Sequence, residues 1–185
     1  MEGLDPKTYR IMRGVSRLYR EGCVEEGMAI CRRVLQGDPD NANAWHSLGY
    51  GYWKSSQIKK SLRCYDRAID LWPEYPEAWN NRGVALGELG RVEESLECAS
   101  RAVALGPRGW IRVYSLATSL ERLCRFEEAL HCHQRLRFLA PHSETLRDAH
   151  RDTLTTYRSV SSALDRAEAD VAAKPRDTDA WYEKA

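Results

Sequence analysis

Pro39, Pro73, Pro107, Pro141 and Pro175 recur every 34 residues without a slip, and the residues around them repeat with the same period. A fixed period of this size marks a chain of stacked units, each of which can bury its apolar face only against its neighbours. The chain is therefore a tandem array, and its chemistry is best read down columns of equivalent positions.

Frames starting at Thr8, Ala42, Pro76, Trp110, Glu144 and Thr178 make those columns uniform. Position 21 holds Met28, Leu62, Leu96, Leu130 and Leu164; position 17 holds Val24, Ile58, Val92, Phe126 and Val160. Positions 4, 7, 8 and 11 form one face of a first helix (A), and positions 17, 20, 21, 24 and 28 one face of a second (B). Each unit is predicted to be a helical hairpin with the position-21 column facing its interior. Gly22 and Gly90 fall at position 15, where a residue free to take positive φ ends helix A; Ser56, Cys124 and Arg158 hold that place elsewhere and specify the turn less well. Between units, each proline at position 32 lacks an amide donor and pushes its predecessor out of the helical region, so helix B stops. Asn41, Gly109 and Ser143 stand where an N-cap would restart helix A, and Pro76 suits a first helical position.

The pattern resembles the tetratricopeptide repeat family, with Trp at 4, Leu-Gly at 7 and 8, Tyr at 11, Ala at 20, an aromatic at 24, Ala at 27 and Pro at 32. The second unit matches best, through Trp45, Leu48, Gly49, Tyr52, Ser61, Tyr65, Ala68 and Pro73. The third carries Trp79, Gly83, Leu86, Ser95, Ala102 and Pro107, and the fourth Leu116, Ala117, Leu120, Ala129 and Pro141. The first and fifth depart more, with Val15 and Arg151 at the small-residue position and Cys31 and Ala167 in place of the aromatic. The resemblance implies an all-α, right-handed superhelix of about five hairpins, 8–41, 42–75, 76–109, 110–143 and 144–177, in one domain over 1–185, with a partial sixth unit at 178–185.

With 28 basic against 27 acidic residues the net charge is +1, so the balance favours neither a nucleic acid nor a membrane surface as partner. No apolar run approaches the roughly 20 residues that span a bilayer, and Met1 to Arg10 lacks a signal pattern, so the chain reads as cytoplasmic. Cys64, Cys98 and Cys132 share position 23 and would lie on the order of 10 Å apart in successive units. A disulfide needs Cα atoms within about 7 Å, so these thiols are expected to pack as small buried residues. His131 and His133 flank Cys132, but residues two apart point about 200° apart on a helix, and no metal or cofactor is expected. The pairs Glu25-Glu26, Glu93-Glu94 and Glu127-Glu128 recur at one repeat position, where acids suit the start of helix B, and no catalytic motif is present.

Function is therefore expected on the concave face, which in the tetratricopeptide family is lined by helix A and grips a peptide. Carrying the family's groove positions over places Arg13 and Arg20 in the first unit, His46, Tyr50, Trp53 and Lys54 in the second, Asn80 and Asn81 in the third, and Tyr114 and Arg122 in the fourth. His46, Tyr50 and Trp53 form a ring stripe beside Arg13, Arg20 and Lys54, a setting for an acidic segment with one apolar or aromatic anchor. The family's clamp for chaperone C-terminal tails needs Lys, Asn, Asn, Lys and Arg; the best register here offers His46, Tyr50, Asn81, Ile111 and Ser115, which argues against that ligand. The reading is a non-enzymatic scaffold for a peptide segment of a protein partner. The alternatives are self-association through an open C-terminal end, where Trp181 restarts the motif at position 4 and the sequence breaks off as a fragment would, and a docking arm of an enzyme whose catalytic part lies elsewhere.

Overall fold

The computed structural model describes the backbone of residues 6–173 and the side chains of residues 10–166. Among the described residues there are nine helices and no strand: α1 (Pro6–Arg20), α2 (Val24–Gly37), α3 (Ala42–Lys54), α4 (Ile58–Leu71), α5 (Pro76–Glu88), α6 (Val92–Leu105), α7 (Trp110–Arg122), α8 (Phe126–Leu139) and α9 (Glu144–Ala173). Helices α3, α5, α7 and α9 start at position 1 of their frames, and α2, α4, α6 and α8 at position 17. None of the nine is long and apolar enough to cross a membrane.

All four A–B turns use the same device. The position-15 residue takes a left-handed φ at Gly22 (84°), Ser56 (57°), Gly90 (77°) and Cys124 (57°), although only two of the four are glycine. The following amide then reaches back to the third-last carbonyl of helix A: Cys23 to Leu18 at 2.9 Å, Gln57 to Tyr52 at 2.8 Å, Arg91 to Leu86 at 3.0 Å and Arg125 to Leu120 at 2.9 Å. These bonds satisfy carbonyls that the helix end leaves open. Helix A restarts under caps of the expected kind: the Asn41 side chain accepts from the Ala44 amide at 3.0 Å, Ser143 from Leu146 at 3.4 Å, and Pro76 begins α5. Position-4 indoles pin two of these restarts to the preceding loop, Trp45 donating to the Pro39 carbonyl and Trp79 to that of Pro73, each at 2.8 Å.

The fifth hairpin is a correction. Its A and B sequences form one continuous helix, α9, through Arg158, so the turn expected there is absent. At position 8 the first four units place Val15, Gly49, Gly83 and Ala117, all buried against helix B. A methyl group added at Gly49 would stand 2.7 Å from the Tyr65 ring, and one at Gly83 3.1 Å from the Ser95 carbonyl oxygen. The fifth unit offers Arg151 at this place, whose side chain cannot enter such a contact, and it is exposed. Arg158 also gives no preference for the left-handed turn. Val160 and Leu164, which the columns assign to a hairpin interior, are consequently 50% and 58% exposed. The sixth-unit start, with Trp181, lies outside the described residues.

Within the four closed hairpins the core follows the columns, with one shift. Met28 and Leu62 of the position-21 column are buried, whereas Leu96 and Leu130 are half-buried, Leu96 beside a surface depression shared with Leu116 and Cys132. Leu86, Val113 and Tyr65 are fully buried instead. Two buried serines at the helix crossing, Ser95 and Ser119, bond each other at 3.1 Å, which satisfies hydroxyls that burial would otherwise penalise.

Leu86→Ala is expected to cost about 2–5 kcal/mol, and Leu96→Ala less, in chemical unfolding. Gly90→Ala is expected to cost about 1 kcal/mol. A Cβ at Gly90 meets nothing within 4 Å, so the whole loss is conformational. Ser56→Gly, which relieves the same strain, should leave stability equal or higher. An unchanged Gly90→Ala midpoint would contradict the left-handed turn.

Candidate functional site: the concave face

Concavity follows from the helix contacts. Besides the hairpin and sequential contacts, successive A helices touch (α1 with α3, α3 with α5, α5 with α7), while no pair of B helices does so to a comparable extent. The A side is therefore the compressed, inner side of the curve. Its floor is stitched by bonds between residues 35 apart, one repeat plus one residue: Asn81 Nδ2 to His46 Nε2 (2.9 Å), Trp53 Nε1 to Glu88 (2.8 Å), Arg112 to Glu77 (2.9 Å) and Arg122 to the Gly87 carbonyl (2.7 Å).

His46 is the hub of the central floor. Tyr75 donates its hydroxyl proton to Asn43 Oδ1 at 3.0 Å, so its oxygen accepts from His46 Nδ1 at 3.1 Å, and His46 Nε2 accepts from Asn81. The network fits a neutral imidazole carrying its proton on Nδ1, a tautomer assigned from these partners. Burial lowers the His46 pKa to about 4. The ring also sits 4.9 Å from Tyr75 and 5.9 Å from Tyr65, centroid to centroid. Asn80 is buried and donates to Asn81 Oδ1 at 3.3 Å. His46, Asn80 and Asn81 thus hold the floor together, and their polar groups are largely engaged with one another.

The ring stripe is a wall. Tyr50 stacks at a tilt between Tyr19 (5.5 Å) and Trp53 (5.6 Å), and Lys54 lies over both Tyr50 (5.8 Å) and Trp53 (5.9 Å). Tyr19 is buried and donates to the Ser47 carbonyl at 2.9 Å. Trp53 packs on the Leu62, Tyr65 and Leu86 cluster, so it supports the fold as well as the groove. On the far wall Ile111 and Tyr114 are exposed, by 54% and 37%.

The charges of the groove are unequally spent. Glu77 is paired with Arg112, Glu88 accepts from Trp53, and Glu121 accepts from Thr153 and lies 2.6 Å from His133 Nε2. Burial pushes the Glu121 carboxyl up, but its bonds to His133 and Thr153 outweigh this and hold it below the usual range. Arg13, Arg20 and Lys54 are exposed and have no carboxylate partner among the described residues. These exposed cations stand on α1 and α3, the first two helices of the A row. Towards α9, Asp148 pairs with Arg151, and Asp152 is exposed.

Two participants were not singled out by sequence reasoning. Tyr75 was missed as the partner of His46; its only signal was an aromatic at a position where other units place Asn41, Gly109 and Ser143. The Glu121–His133–Thr153 contact joins three helices and has no local signature. His133 is buried, as a core histidine should be, while His131 is exposed. The position-23 thiols of Cys64, Cys98 and Cys132 are buried, and burial raises each pKa, Cys64 to about 12. They are packing residues held in the protonated form.

The tetratricopeptide repeat family matches residues 46–109. Among solved structures, the chain is similar to PilF of Pseudomonas aeruginosa, at 19% identity and a TM-score of 0.74, covering 84% of this chain and 71% of that one. It is similar to the first tetratricopeptide domain of Spaghetti (RPAP3) bound to the HSP90 peptide SRMEEVD, at 22% identity and a TM-score of 0.62, covering 64% and 94%. It is also similar to MamA, at 15% identity and a TM-score of 0.67, covering 92% and 95%. No curated protein matches the chain.

His46 yields a pH test. Its folded pKa lies below the value of about 6.5 for an unfolded histidine. The unfolded chain therefore binds the extra proton first, and stability falls as pH drops from about 6.5 towards 4, by at most about 3 kcal/mol. The loss should be visible as the difference between the pH profiles of the wild-type protein and His46→Asn, which removes the titrating group. Parallel profiles would refute the buried neutral histidine.

Proposed function

Because the chain is a tetratricopeptide repeat protein, it is its concave face that we propose as the binding surface, for an extended, acidic segment of a partner protein. The observation that carries this reading is the unequal use of charge: Glu77, Glu88 and Glu121 are each engaged within the fold, while Arg13, Arg20 and Lys54 are not. Charge complementarity of this kind steers a partner and sets its direction along the groove. The Tyr50–Trp53 wall under Lys54 supplies the surface for one aromatic or apolar anchor. The family's chaperone-tail clamp does not fit, since His46, Tyr50, Ile111 and Ser115 fill four of its five places and the fifth, Asn81, is bonded to His46. The reading is of a scaffold without chemistry of its own.

Panning a displayed peptide library on the protein should enrich segments with acidic residues around one aromatic or large apolar residue. Lys54→Glu should slow association of an enriched peptide at low salt, and Arg13→Glu with Arg20→Glu should weaken it further. Arg137→Glu, exposed on α8, should leave affinity unchanged. Trp53→Ala should cost about 2 kcal/mol of binding, together with some stability, given its packing and its bond to Glu88. Peptides that ignore these groove changes but fail on altering helix B would overturn the reading.

A second reading, self-association, is favoured by Tyr157, Val160 and Leu164 lying along one face of α9, with Val160 and Leu164 exposed. It predicts a concentration-dependent mass in sedimentation that Val160→Glu with Leu164→Glu abolishes; a monomer at every concentration removes it.

A further inference from the structure

The four B helices differ in one respect that the fold does not require. The second and third residues of α2, α6 and α8 are Glu25-Glu26, Glu93-Glu94 and Glu127-Glu128, whereas in α4 they are Lys59-Lys60. Carboxylates at this place favour the positive end of the helix dipole and ammonium groups oppose it. Neither lysine meets a carboxylate among the described residues, and Lys60 Nζ donates only to Gln57 Oε1, at 2.8 Å. Arg63, one turn along α4, and Arg32, on α2, are likewise exposed and unpaired among the described residues, while nearby Arg67 and Arg82 are matched with Asp40 and Asp66. Tyr52, half-buried at the end of α3, gathers these charges: the Arg32 guanidinium lies 5.8 Å and Lys60 Nζ 5.5 Å from its ring centroid. Two cations from different hairpins are thus held no more than about 11 Å apart around one ring.

We propose that this outer face at the junction of the first and second hairpins, formed by Arg32, Tyr52, Lys59, Lys60 and Arg63, is a second docking surface that takes a short acidic segment of a partner protein independently of the groove. Its size selects the occupant. Glu25 and Glu26 begin α2, the helix that carries Arg32, so a polyanion longer than the patch, such as a nucleic acid, would run into like charge. Tyr52 already carries two cations and is not free to stack on a base. A run of two or three carboxylates matches both the charge and the span.

The test uses fluorescein-labelled triglutamate and fluorescence anisotropy at low salt. In an Arg13→Glu/Arg20→Glu/Lys54→Glu protein, which lacks the three free cations assigned to the groove, triglutamate should still bind, and the affinity should fall with added salt. Adding Lys59→Glu/Lys60→Glu should reduce it at least tenfold. That pair should also melt no lower than its parent, because it restores the glutamates of the other three B helices. If it does melt lower, Lys59→Ala/Lys60→Ala should give the same loss of binding. Absence of binding to the groove variant, or binding that survives both lysine replacements, overturns the proposal. So does tighter binding of oligothymidylate or of phosphatidylserine vesicles than of triglutamate. Failure of the groove reading alone would leave this signal intact.

Discussion

The close approach of helix A to helix B at position 8 is the contact on which the solenoid depends. Val15, Gly49, Gly83 and Ala117 keep this place small and buried, and the room they leave is filled by the Tyr65 ring in one unit and by the Ser95 carbonyl and Cys98 in another. Interiors packed at crystal-like density have no space to spare at such a point. When Arg151 arrives at the same position the hairpin does not close, and α9 runs straight through the residues that would have turned. Four units close and the fifth does not, for a reason carried by one side chain and by Arg158 at the turn.

Closing the hairpins brings A helices together on the inner side, and this has a second effect. Side chains that would otherwise meet a ligand also meet the next repeat. His46 and Asn81, Trp53 and Glu88, and Arg122 and Gly87 are joined across units, so the groove floor is preorganised by the same groups that line it. These ties engage Glu77 and Glu88 but also Arg112 and Arg122, so they do not by themselves tip the charge balance. The proposed selectivity for acidic segments rests on the cations outside them, Arg13, Arg20 and Lys54, with Lys59 and Lys60 adding to it on the outer face of the second hairpin.

The same fold serves unrelated ligands, so the site and not the architecture has to carry the functional argument. The groups that could carry chemistry are engaged within the fold: a neutral, fully bonded imidazole at His46, thiols kept protonated by burial, and a Glu121 carboxylate held by His133 and Thr153. None of these offers an activated nucleophile to an incoming group.

The period of 34, the helix starts at positions 1 and 17 and the proline stops were all legible in the chain, because each depends on local backbone preference or on the spacing of apolar residues along one helix. So was the apolar face of each helix A, whereas the choice of groove positions came only from the resemblance to the tetratricopeptide family. The left-handed turns at Ser56 and Cys124 were not, because there the closed hairpin imposes a conformation that the residue itself disfavours. Nor were the Tyr75–His46–Asn81 chain and the Glu121–His133–Thr153 contact, which join side chains 12 to 35 residues apart. The amino-acid sequence by itself determined which residues line each face of each helix; only the tertiary structure decided which of those residues remain free to bind a partner, because that depends on bonds made across repeats and on whether a hairpin can physically close.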